Sequence, residues 1–437
     1  MDCTDKDLHQ SIIKSAIDRG KNTLANIDTL SNKEIQQLSP PTFTYQSSSS
    51  SGLSQDDSKE ESVITTNEKN SIIVGSILQP IEQVGGIASH KHEVLGFEKY
   101  ILKPLRLTTV HSHKDGIKDM TKSHRGLREV AFYEALHAAV SAPSASSYID
   151  ASTHKRILLL SRLGYFDYMI LLSAYYAGDS VVRSSLQSYA KVESTLIKEV
   201  KELRKLSAFT SSYFGVVMLD REDQETDIHH LLLQNLTAPF HKPNIIDIKM
   251  GTQTYEPRAP LSKQKREVAK YPQQSEIGFR IVGMKVYLPS ANGGGDEYKC
   301  LNKSFGIKLK MKNDVIQALM TFFQCGDNNH ITPYTKHVLS SVIKELTLLK
   351  KCFEEENSTL AFYASSILIV YDTEDIAKKT SQNDQFCQQD PIVKMIDFAH
   401  TCRCSTGDRG YLKGITTLLA ILYEIYDTMN YSNIIPS

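Results

Sequence analysis

The sequence predicts a protein that mixes strands and helices, and three observations support this prediction. Residues 246–250 alternate apolar and polar side chains, as expected of a strand with one buried face. Lys263, Arg266 and Lys270 recur at the spacing of one helical face, in a stretch free of Gly and Pro. The length of 437 residues provides core enough for one large two-lobed domain or two smaller ones.

The first seventy residues have the composition of a disordered segment. Five serines at 47–51 are followed by a charged stretch at 56–62, and apolar residues are almost absent from both. Such a stretch cannot bury enough apolar surface to offset the entropy lost on ordering. We therefore predict a disordered Ser-rich leader over residues 1–70, whose removal leaves stability and activity unchanged.

Charge and cysteine content narrow the class of function. Lys plus Arg equals Asp plus Glu, at 50 each, so no overall field favours nucleic acid as a partner. The acidic start of the chain has no apolar core, and we expect no signal peptide. Seven cysteines, six of them from Cys300 onward, form no regular framework. They indicate reduced thiols and a protein of the cytoplasm or nucleus.

The most informative segment, Pro243–Gly251, reads Pro-x-x-x-Asp-x-Lys-x-Gly. Strand alternation places Asp247 and Lys249 on one face and the apolar residues on the other. A neighbouring carboxylate and ammonium suit a site that handles a phosphate and a hydroxyl together. The cation binds the anion, and the carboxylate binds hydroxyls or a metal. For an isolated Asp-x-Lys, a solvated face with one ion pair is the alternative.

Five further segments accompany this one along the chain. They are Tyr100–Leu105, Gly126–Glu129, Ala364–Leu368, Met395–His400 and Asp408–Gly414. Together, and in this order, the six segments resemble the inositol polyphosphate kinase family. The resemblance implies an α+β, two-lobed kinase-like fold with a small β-rich lobe and a larger lobe. The sequence contains neither the His-Arg-Asp loop of protein kinases nor a Walker phosphate-binding motif.

The resemblance also implies a division of the chain. The small lobe would occupy residues 71–233 and the large lobe residues 234–437. A stretch near 140–208 departs from the family pattern, and charged residues interrupt its apolar run, so we predict no transmembrane segment. Its later part repeats apolar residues at helical spacing: Leu186, Tyr189, Val192, Leu196, Val200 and Leu203. We predict an amphipathic helix inserted in the small lobe that packs on the core, with a partner or lipid surface as the alternative.

In the family that the chain resembles, ATP binds between the lobes. Lys103 would contact ATP phosphates, and Glu129 would hold Lys103 by an ion pair. Asp247 would bind the ribose hydroxyls. Asp397 would ligate the Mg²⁺ ion that bridges the β- and γ-phosphates, since carboxylate oxygen suits this cation. The backbone of a hinge would bind adenine, and the Gln234 carbonyl and Leu236 amide are the candidates.

Basic residues that follow the signature strand would bind the substrate phosphates. The resemblance implies an inositol-binding helix over residues 258–271, in which Lys263, Arg266 and Lys270 share one face. Each phosphate bears roughly −1.5 to −2 charges, so clustered cations suit a polyphosphorylated ring. Lys285 is a further candidate. A solvated basic face is the alternative for this helix.

The implied reaction is ATP-dependent phosphorylation of inositol tris- and tetrakisphosphates. Lys249 would stabilise charge on the transferred phosphoryl group, and His400 would contact the substrate beside the metal. His400 resembles both the multikinases and the hexakisphosphate kinases of the family, and Tyr271-Pro272 and Glu276–Phe279 resemble the multikinase branch. A hexakisphosphate kinase that makes pyrophosphates and a non-catalytic scaffold in transcription or signalling complexes are the alternatives. We expect a monomer, and the sequence leaves open whether phosphoinositide lipid head groups are also substrates.

Overall fold

The chain divides into two units. The first comprises Met1–Gln83, Ile87–Val130 and Ser212–Asn235, and the second comprises Val84–Gly86, Ala131–Ser211 and Leu236–Ser437. The computed structural model describes residues 16–20, 43–45, 65–67, 71–73, 79–80, 94–97, 99–105, 125–141, 198, 201–221, 228–257, 259–288, 297–324, 332–373 and 389–431. The division differs from the predicted lobes, because residues 131–211 belong to the second unit. One boundary, between Asn235 and Leu236, lies next to the predicted hinge residues.

Within the described residues, the first unit contains one sheet of eight strands. They are β1 (Phe43–Tyr45), β2 (Thr65–Asn67), β3 (Ser71–Ile73), β4 (Gln79–Pro80), β5 (Leu95–Phe97), β6 (Tyr100–Pro104), β7 (Tyr213–Arg221) and β8 (Ile228–Gln234). Their order is β2-β3-β1-β7-β8-β6-β5-β4. β1 pairs in parallel with β3 and β7. Leu102 on β6 and its partner Leu232 on β8 are buried, so the strand that bears Lys103 lies in the interior of the sheet.

A helical turn at residues 16–20 packs directly on β7. Ala16 and Gly20 are buried, and a Cβ atom on Gly20 would lie 2.4 Å from the carbonyl oxygen of Val216. Only glycine allows this approach of the two backbones. The structure therefore differs from the predicted leader at this turn, because two small residues fit against the strand, and also at β1 and β2. The other residues of segment 1–70 lie outside the described ranges.

The second unit is built on an antiparallel sheet with the order β11-β10-β9-β13-β14 in its described part. The remaining strands of the chain are β9 (Pro243–Met250), β10 (Phe279–Leu288), β11 (Glu297–Leu301), β12 (Leu360–Phe362), β13 (Ser366–Asp372), β14 (Ile392–Ile396) and β15 (Thr401–Arg403). β12 and β15 pair separately. In the central strand β9, Ile246, Ile248 and Met250 are fully buried, whereas Asp247 and Lys249 are partly exposed. This alternation is the predicted one.

Several helices contact the second sheet. The helices with defined bounds are α1 (Arg125–Ser141), α2 (Leu261–Lys270), α3 (Gln274–Ile277), α4 (Lys303–Lys308), α5 (Lys312–Phe323), α6 (Pro333–Glu355) and α7 (Arg409–Tyr431), of which α3 to α7 make these contacts. Phe353 on α6 stacks on Tyr411 of α7, with ring centroids 4.7 Å apart. Asp408 caps α7, because its Oδ1 accepts the N–H of Tyr411 at 2.8 Å. Burial raises the pKa of the Asp408 carboxyl, and hydrogen bonds from the backbone oppose the rise.

Two glycines hold α7 close to the segments that follow β9. A Cβ atom on Gly414 would lie 2.2 Å from the carbonyl oxygen of Gly278, which has a left-handed φ of 81°. A Cβ atom on Gly410 would lie 2.7 Å from Thr252 Oγ1. Both glycines come from the motif Asp408–Gly414, and the close packing explains why that motif requires them.

The predicted insertion is described only at its C-terminal end. Residues 201–206 are helical, and Leu203 is buried there, while the rest of the apolar stripe lies outside the described ranges. Glu202 accepts hydrogen bonds from the Thr359 N–H at 3.1 Å and the Thr359 hydroxyl at 2.7 Å. Burial raises the pKa of Glu202, although these bonds oppose the rise. No helix in the described ranges is long and apolar enough to cross a membrane.

Candidate active site

Lys249 is positioned by strand β9 and by a turn before β13. Its Nζ donates a hydrogen bond to the carbonyl oxygen of Ala364 at 2.7 Å. Ala364 has a φ of 55°, a left-handed conformation that is strained for a residue other than glycine. The turn thus directs a carbonyl group at the lysine and limits where its ammonium group can lie.

Asp247 is the neighbour of Lys249 on the same face of β9. Its Oδ1 is buried and accepts no hydrogen bond from the residues that the structure describes. Burial raises the pKa of Asp247, and Asp397 adds to the rise, whereas Lys249 and Lys303 oppose it. The Ser366 hydroxyl favours the charged form of the Asp247 carboxyl. The two side chains do not meet the geometry of a hydrogen bond. An unpartnered acceptor of this kind fits a donor from another molecule.

Asp397 follows strand β14 in a conformation that its surroundings fix. Its φ is 65°, in the left-handed region. The next residue, Phe398, is fully buried and stacks on Phe132, with centroids 4.2 Å apart. The buried ring therefore anchors the backbone at Asp397. The charge of Asp397 contributes to the raised pKa of Asp247, since like charges disfavour the ionised form.

Asp247 and Asp397 repel each other when both are ionised, and a divalent cation would relieve this repulsion. Paired carboxylates create a negative potential that a cation relieves, and their hard oxygens suit Mg²⁺ or Mn²⁺. Within the described ranges, no group of three or more His, Cys, Asp or Glu side chains could hold a metal ion. An ion at Asp397 would therefore take further oxygens from water or from a phosphate ligand.

His400 and Glu256 form a close pair, and the backbone of His400 contacts the turn that holds Lys249. His400 Nδ1 lies 2.6 Å from Glu256 Oε1, and the two side chains are only 15% and 11% exposed. The carbonyl oxygen of His400 accepts the N–H of Tyr363 at 3.3 Å. Tyr363 precedes Ala364, the hydrogen-bond partner of Lys249, so the same turn positions both His400 and Lys249.

Arg280 and Lys303 add positive charge around this centre, and the sequence reasoning missed the role of Arg280. Arg280 lies directly opposite Lys249 in the pairing of β10 with β9 and is buried. Burial lowers its pKa, and Glu267 and Asp247 oppose the fall. Burial also lowers the pKa of Lys303, and nearby cations, first of them Lys249, lower it further. The signal was an arginine within the otherwise apolar run Phe279–Val282.

The predicted inositol-binding helix, α2, has no buried residue. Lys270 Nζ lies 2.7 Å from Glu267 Oε1, and Arg266 Nε lies 3.8 Å from the same oxygen. Burial opposes the charge of Glu267, but Lys270, Arg266 and Arg280 together outweigh it and lower its pKa. Lys263 is partly exposed on the same face. The helix thus presents cations toward solvent, and Glu267 offsets part of their charge.

Lys285 lies apart from this cluster. It pairs opposite Ile245 on β9, and its Nζ lies 4.2 Å from the centroid of the Tyr298 ring. The structure therefore engages Lys285 in a cation–π contact and does not bring it to Lys249. Arg258, the first basic residue of the predicted helix segment, lies outside the described residues.

Comparison with known proteins identifies the segment that contains this centre. Residues 230–423 match the family model described as inositol polyphosphate kinase. This part of the chain is similar to the inositol polyphosphate kinase family. The matched segment includes Asp247, Lys249, Arg280, Asp397 and His400.

Named relatives include two kinds of inositol polyphosphate kinase. The chain is 32% identical over 228 residues to inositol hexakisphosphate kinase 2 of Mus musculus, which covers 45% of the chain and 48% of that protein. It is 31% identical over 184 residues to the inositol polyphosphate multikinase of Homo sapiens. That alignment covers 42% of the chain and 40% of the multikinase. The chain thus spans about half or less of the length of these relatives.

A solved structure is also similar. It is the inositol phosphate multikinase Ipk2 of S. cerevisiae in complex with ADP and Mn²⁺, at 25% identity and a TM-score of 0.39. The alignment covers 50% of this chain and 89% of that chain.

The first unit holds the predicted pair of Lys103 and Glu129. Lys103 Nζ on β6 donates to Glu129 Oε1 on α1 at 2.7 Å, and Glu129 is buried. The ion pair is therefore present, while its role toward a phosphate stays a prediction. Gln234 at the end of β8 is held by its side chain, whose Oε1 accepts the Ser212 hydroxyl at 3.2 Å. Leu236 is buried, and the adenine contacts of both residues also stay predictions.

Proposed function

We propose that the protein transfers the γ-phosphoryl group of ATP to hydroxyl groups of inositol tris- and tetrakisphosphates. The observation that supports this function most directly is the arrangement of Asp247, Lys249 and Asp397 within the segment that matches the family. In the reaction, the substrate hydroxyl oxygen forms a bond to the γ-phosphorus. The bond between that phosphorus and the bridging oxygen breaks, and ADP leaves.

Lys249 acts where charge is transferred. Phosphoryl transfer requires little covalent chemistry from the protein, so positioning and electrostatic stabilisation supply most of the rate. The contact with the Ala364 carbonyl holds the ammonium group in place before the substrate binds. A preorganised cation of this kind stabilises charge without reorganisation during the reaction.

Asp397 and Asp247 serve the nucleotide and its metal. Asp397 is the ligand for Mg²⁺, which when bound neutralises charge on the phosphates. The buried Oδ1 of Asp247 accepts a ribose hydroxyl, and this donor satisfies the acceptor that no described residue reaches. Lys103, held by Glu129, binds phosphate oxygens of ATP.

Arg280, Lys303 and the basic face of α2 bind the phosphates that do not react. The pKa of Lys303 is lowered first by burial and then by the cations around it, and Asp247 compensates for its charge only in part. A phosphate completes this compensation. Arg280 adds a planar guanidinium group that can bind phosphate through two parallel hydrogen bonds.

The multikinase reading is favoured over a hexakisphosphate kinase by the sequence. Relatives of both kinds have nearly the same identity to the chain. The segments Tyr271-Pro272 and Glu276–Phe279 resemble the multikinases. We further propose that the protein is a monomer of the cytoplasm or nucleus. Cys352 and Cys404 are free thiols, as expected of a reducing compartment.

The test is product analysis with purified protein, ATP and Mg²⁺. Inositol tris-, tetrakis- and hexakisphosphates are incubated separately, and the products are resolved by ion-exchange chromatography. We expect the trisphosphate to be converted to tetrakis- and pentakisphosphates. Turnover of the hexakisphosphate alone would assign the protein to the pyrophosphate-forming kinases. Binding of inositol phosphates without turnover would favour the non-catalytic scaffold.

Phosphoinositide head groups are a second proposed substrate, and the surface of α2 favours it. Leu261 and Val268, seven residues apart on this helix, are 72% and 49% exposed beside its lysines. Exposed apolar side chains among cations suit the head-group region of an anionic bilayer. Sedimentation with phosphatidylserine vesicles tests this proposal. Binding should weaken in Leu261→Gln/Val268→Gln and persist in Leu348→Gln, which changes an exposed leucine of α6.

A further inference from the structure

The pairing of Glu256 with His400 has a chemical consequence that depends on which ring nitrogen bears the proton. An ionised carboxylate only accepts hydrogen bonds. Nδ1 of His400 lies 2.6 Å from Glu256 Oε1, and an ionised Glu256 accepts a hydrogen bond there only when the proton lies on Nδ1. A neutral imidazole protonated at Nδ1 has its lone pair on Nε2. Glu256 thus selects the tautomer in which Nε2 is a base.

Backbone hydrogen bonds fix the positions of both His400 and Glu256. Thr401, the residue after His400, donates its N–H and its hydroxyl to the carbonyl oxygen of Phe398, at 3.1 and 2.9 Å. The carbonyl oxygen of His400 is bonded to Tyr363 N. Glu256 is buried, and its carbonyl oxygen accepts the N–H of Ala259 at 2.9 Å. The hydrogen bond between the side chains therefore joins two fixed turns.

The pair is close to the proposed chemistry. His400 is three residues from Asp397, and its backbone is bonded to the residue before Ala364, which holds Lys249. A buried carboxylate beside a histidine has a desolvation cost, which a purely structural contact could avoid with an apolar pair. A carboxylate that orients a catalytic or metal-binding imidazole is a recurrent arrangement in enzymes.

We infer that Glu256 is a positioning residue that holds His400 as the general base for the attacking hydroxyl, an inference that rests on the proposed kinase activity. As the substrate oxygen bonds to the γ-phosphorus and the bond to the bridging oxygen breaks, the hydroxyl proton passes to His400 Nε2. The imidazolium that forms is stabilised by the carboxylate of Glu256. ADP leaves, and the proton is later lost to solvent.

A double-mutant cycle tests the coupling. Glu256→Ala should lower kcat about 10- to 100-fold, the range for loss of a group that orients a ligand or base. KM for ATP should not change, and Glu256→Asp should recover part of the loss. His400→Ala should lower kcat further, and adding Glu256→Ala to it should have little extra effect, because residues that act as a unit are not additive. Additive losses would overturn the inference.

The tautomer provides a readout independent of activity. In ¹⁵N NMR spectra of the full-length protein, the His400 ring, assigned by its absence in His400→Ala, should show a protonated Nδ1 and an unprotonated Nε2. Glu256→Ala should shift the ring toward the Nε2–H tautomer, and Glu256→Gln should retain more of the Nδ1–H form. A ring protonated at Nε2 in the wild type would overturn the inference. An inactive wild type with the expected tautomer would instead contradict the proposed kinase activity.

Discussion

At the scale of single residues, the buried charge of Asp247 lowers the stability of the fold, and its proposed function explains why a charge is buried there. Burial raises its pKa above the ordinary value of 3.8, and Asp397 adds to the rise. Since the folded-state pKa is raised, the charged carboxylate lowers stability as pH rises through the unfolded-state value, and the full cost is present above the folded-state pKa. Residues of this kind are candidates for binding a ligand, because the ligand supplies the missing partner.

Replacing this charge should separate stability from activity. Asp247→Asn should raise the melting temperature at pH 7.5, by on the order of 2 °C for each 1 kcal/mol of charge burial relieved, and should abolish turnover. Calorimetry and a kinase assay measure the two effects. Asp427→Asn, a change at an exposed aspartate of α7, should alter neither. A lower melting temperature in Asp247→Asn would show that the carboxylate stabilises the fold.

At the scale of elements, α2 has two faces with different predicted roles. Lys263 and Arg266 belong to the face proposed to bind substrate phosphates, while Lys265 is exposed on another side of the helix. Because α2 has no buried residue, its side chains can be changed with little effect on the core. The helix therefore offers a matched comparison between cations of the same element.

Removing cations from the binding face should weaken substrate binding selectively. Lys263→Ala/Arg266→Ala should raise KM for the inositol phosphate severalfold and reduce its dependence on salt, since two screened contacts are lost. KM for ATP should stay the same. Lys265→Ala is the control and should resemble the wild type. A change in KM for ATP in the double variant would assign the helix to the nucleotide.

The contact of residues 16–20 with β7 gives a second prediction at this scale. Gly20→Ala should lower the melting temperature, because a Cβ atom would lie 2.4 Å from the Val216 carbonyl oxygen and force the turn away from the strand. Asp18→Ala changes an exposed residue of the same turn and should have little effect. Thermal unfolding followed by circular dichroism measures both. Equal melting temperatures would support the disordered leader that the composition indicates.

Sequence reasoning succeeded where the information is local. The alternation of β9 and the pairing of Lys103 with Glu129 follow from strand periodicity and from the family motifs. Arg280 was missed because its position opposite Lys249 depends on the pairing of two strands that the long segment 251–278 separates. The contact between Glu256 and His400 joins residues 144 apart in sequence, so no local pattern indicates it. The turn at 16–20 was missed because a few small residues determine its packing.

At the scale of the whole molecule, the chain combines a family segment with a more divergent first part. The match extends over residues 230–423, which include the strand that bears Asp247 and Lys249. The pair formed by Lys103 and Glu129 lies before this segment. The proposed chemistry therefore depends mainly on residues of the second unit, and the contribution of Lys103 can be measured separately by its effect on KM for ATP.

The central claim is that Lys249 promotes phosphoryl transfer from ATP to an inositol phosphate. The most direct measurement compares initial rates of the wild type and Lys249→Ala with inositol trisphosphate, ATP and Mg²⁺, with Lys265→Ala as the control. We expect kcat to fall by about 10²–10³ in Lys249→Ala, because one preorganised electrostatic donor is removed. Lys265→Ala should keep the wild-type rate. A folded Lys249→Ala variant with the wild-type kcat would contradict the proposed role of Lys249.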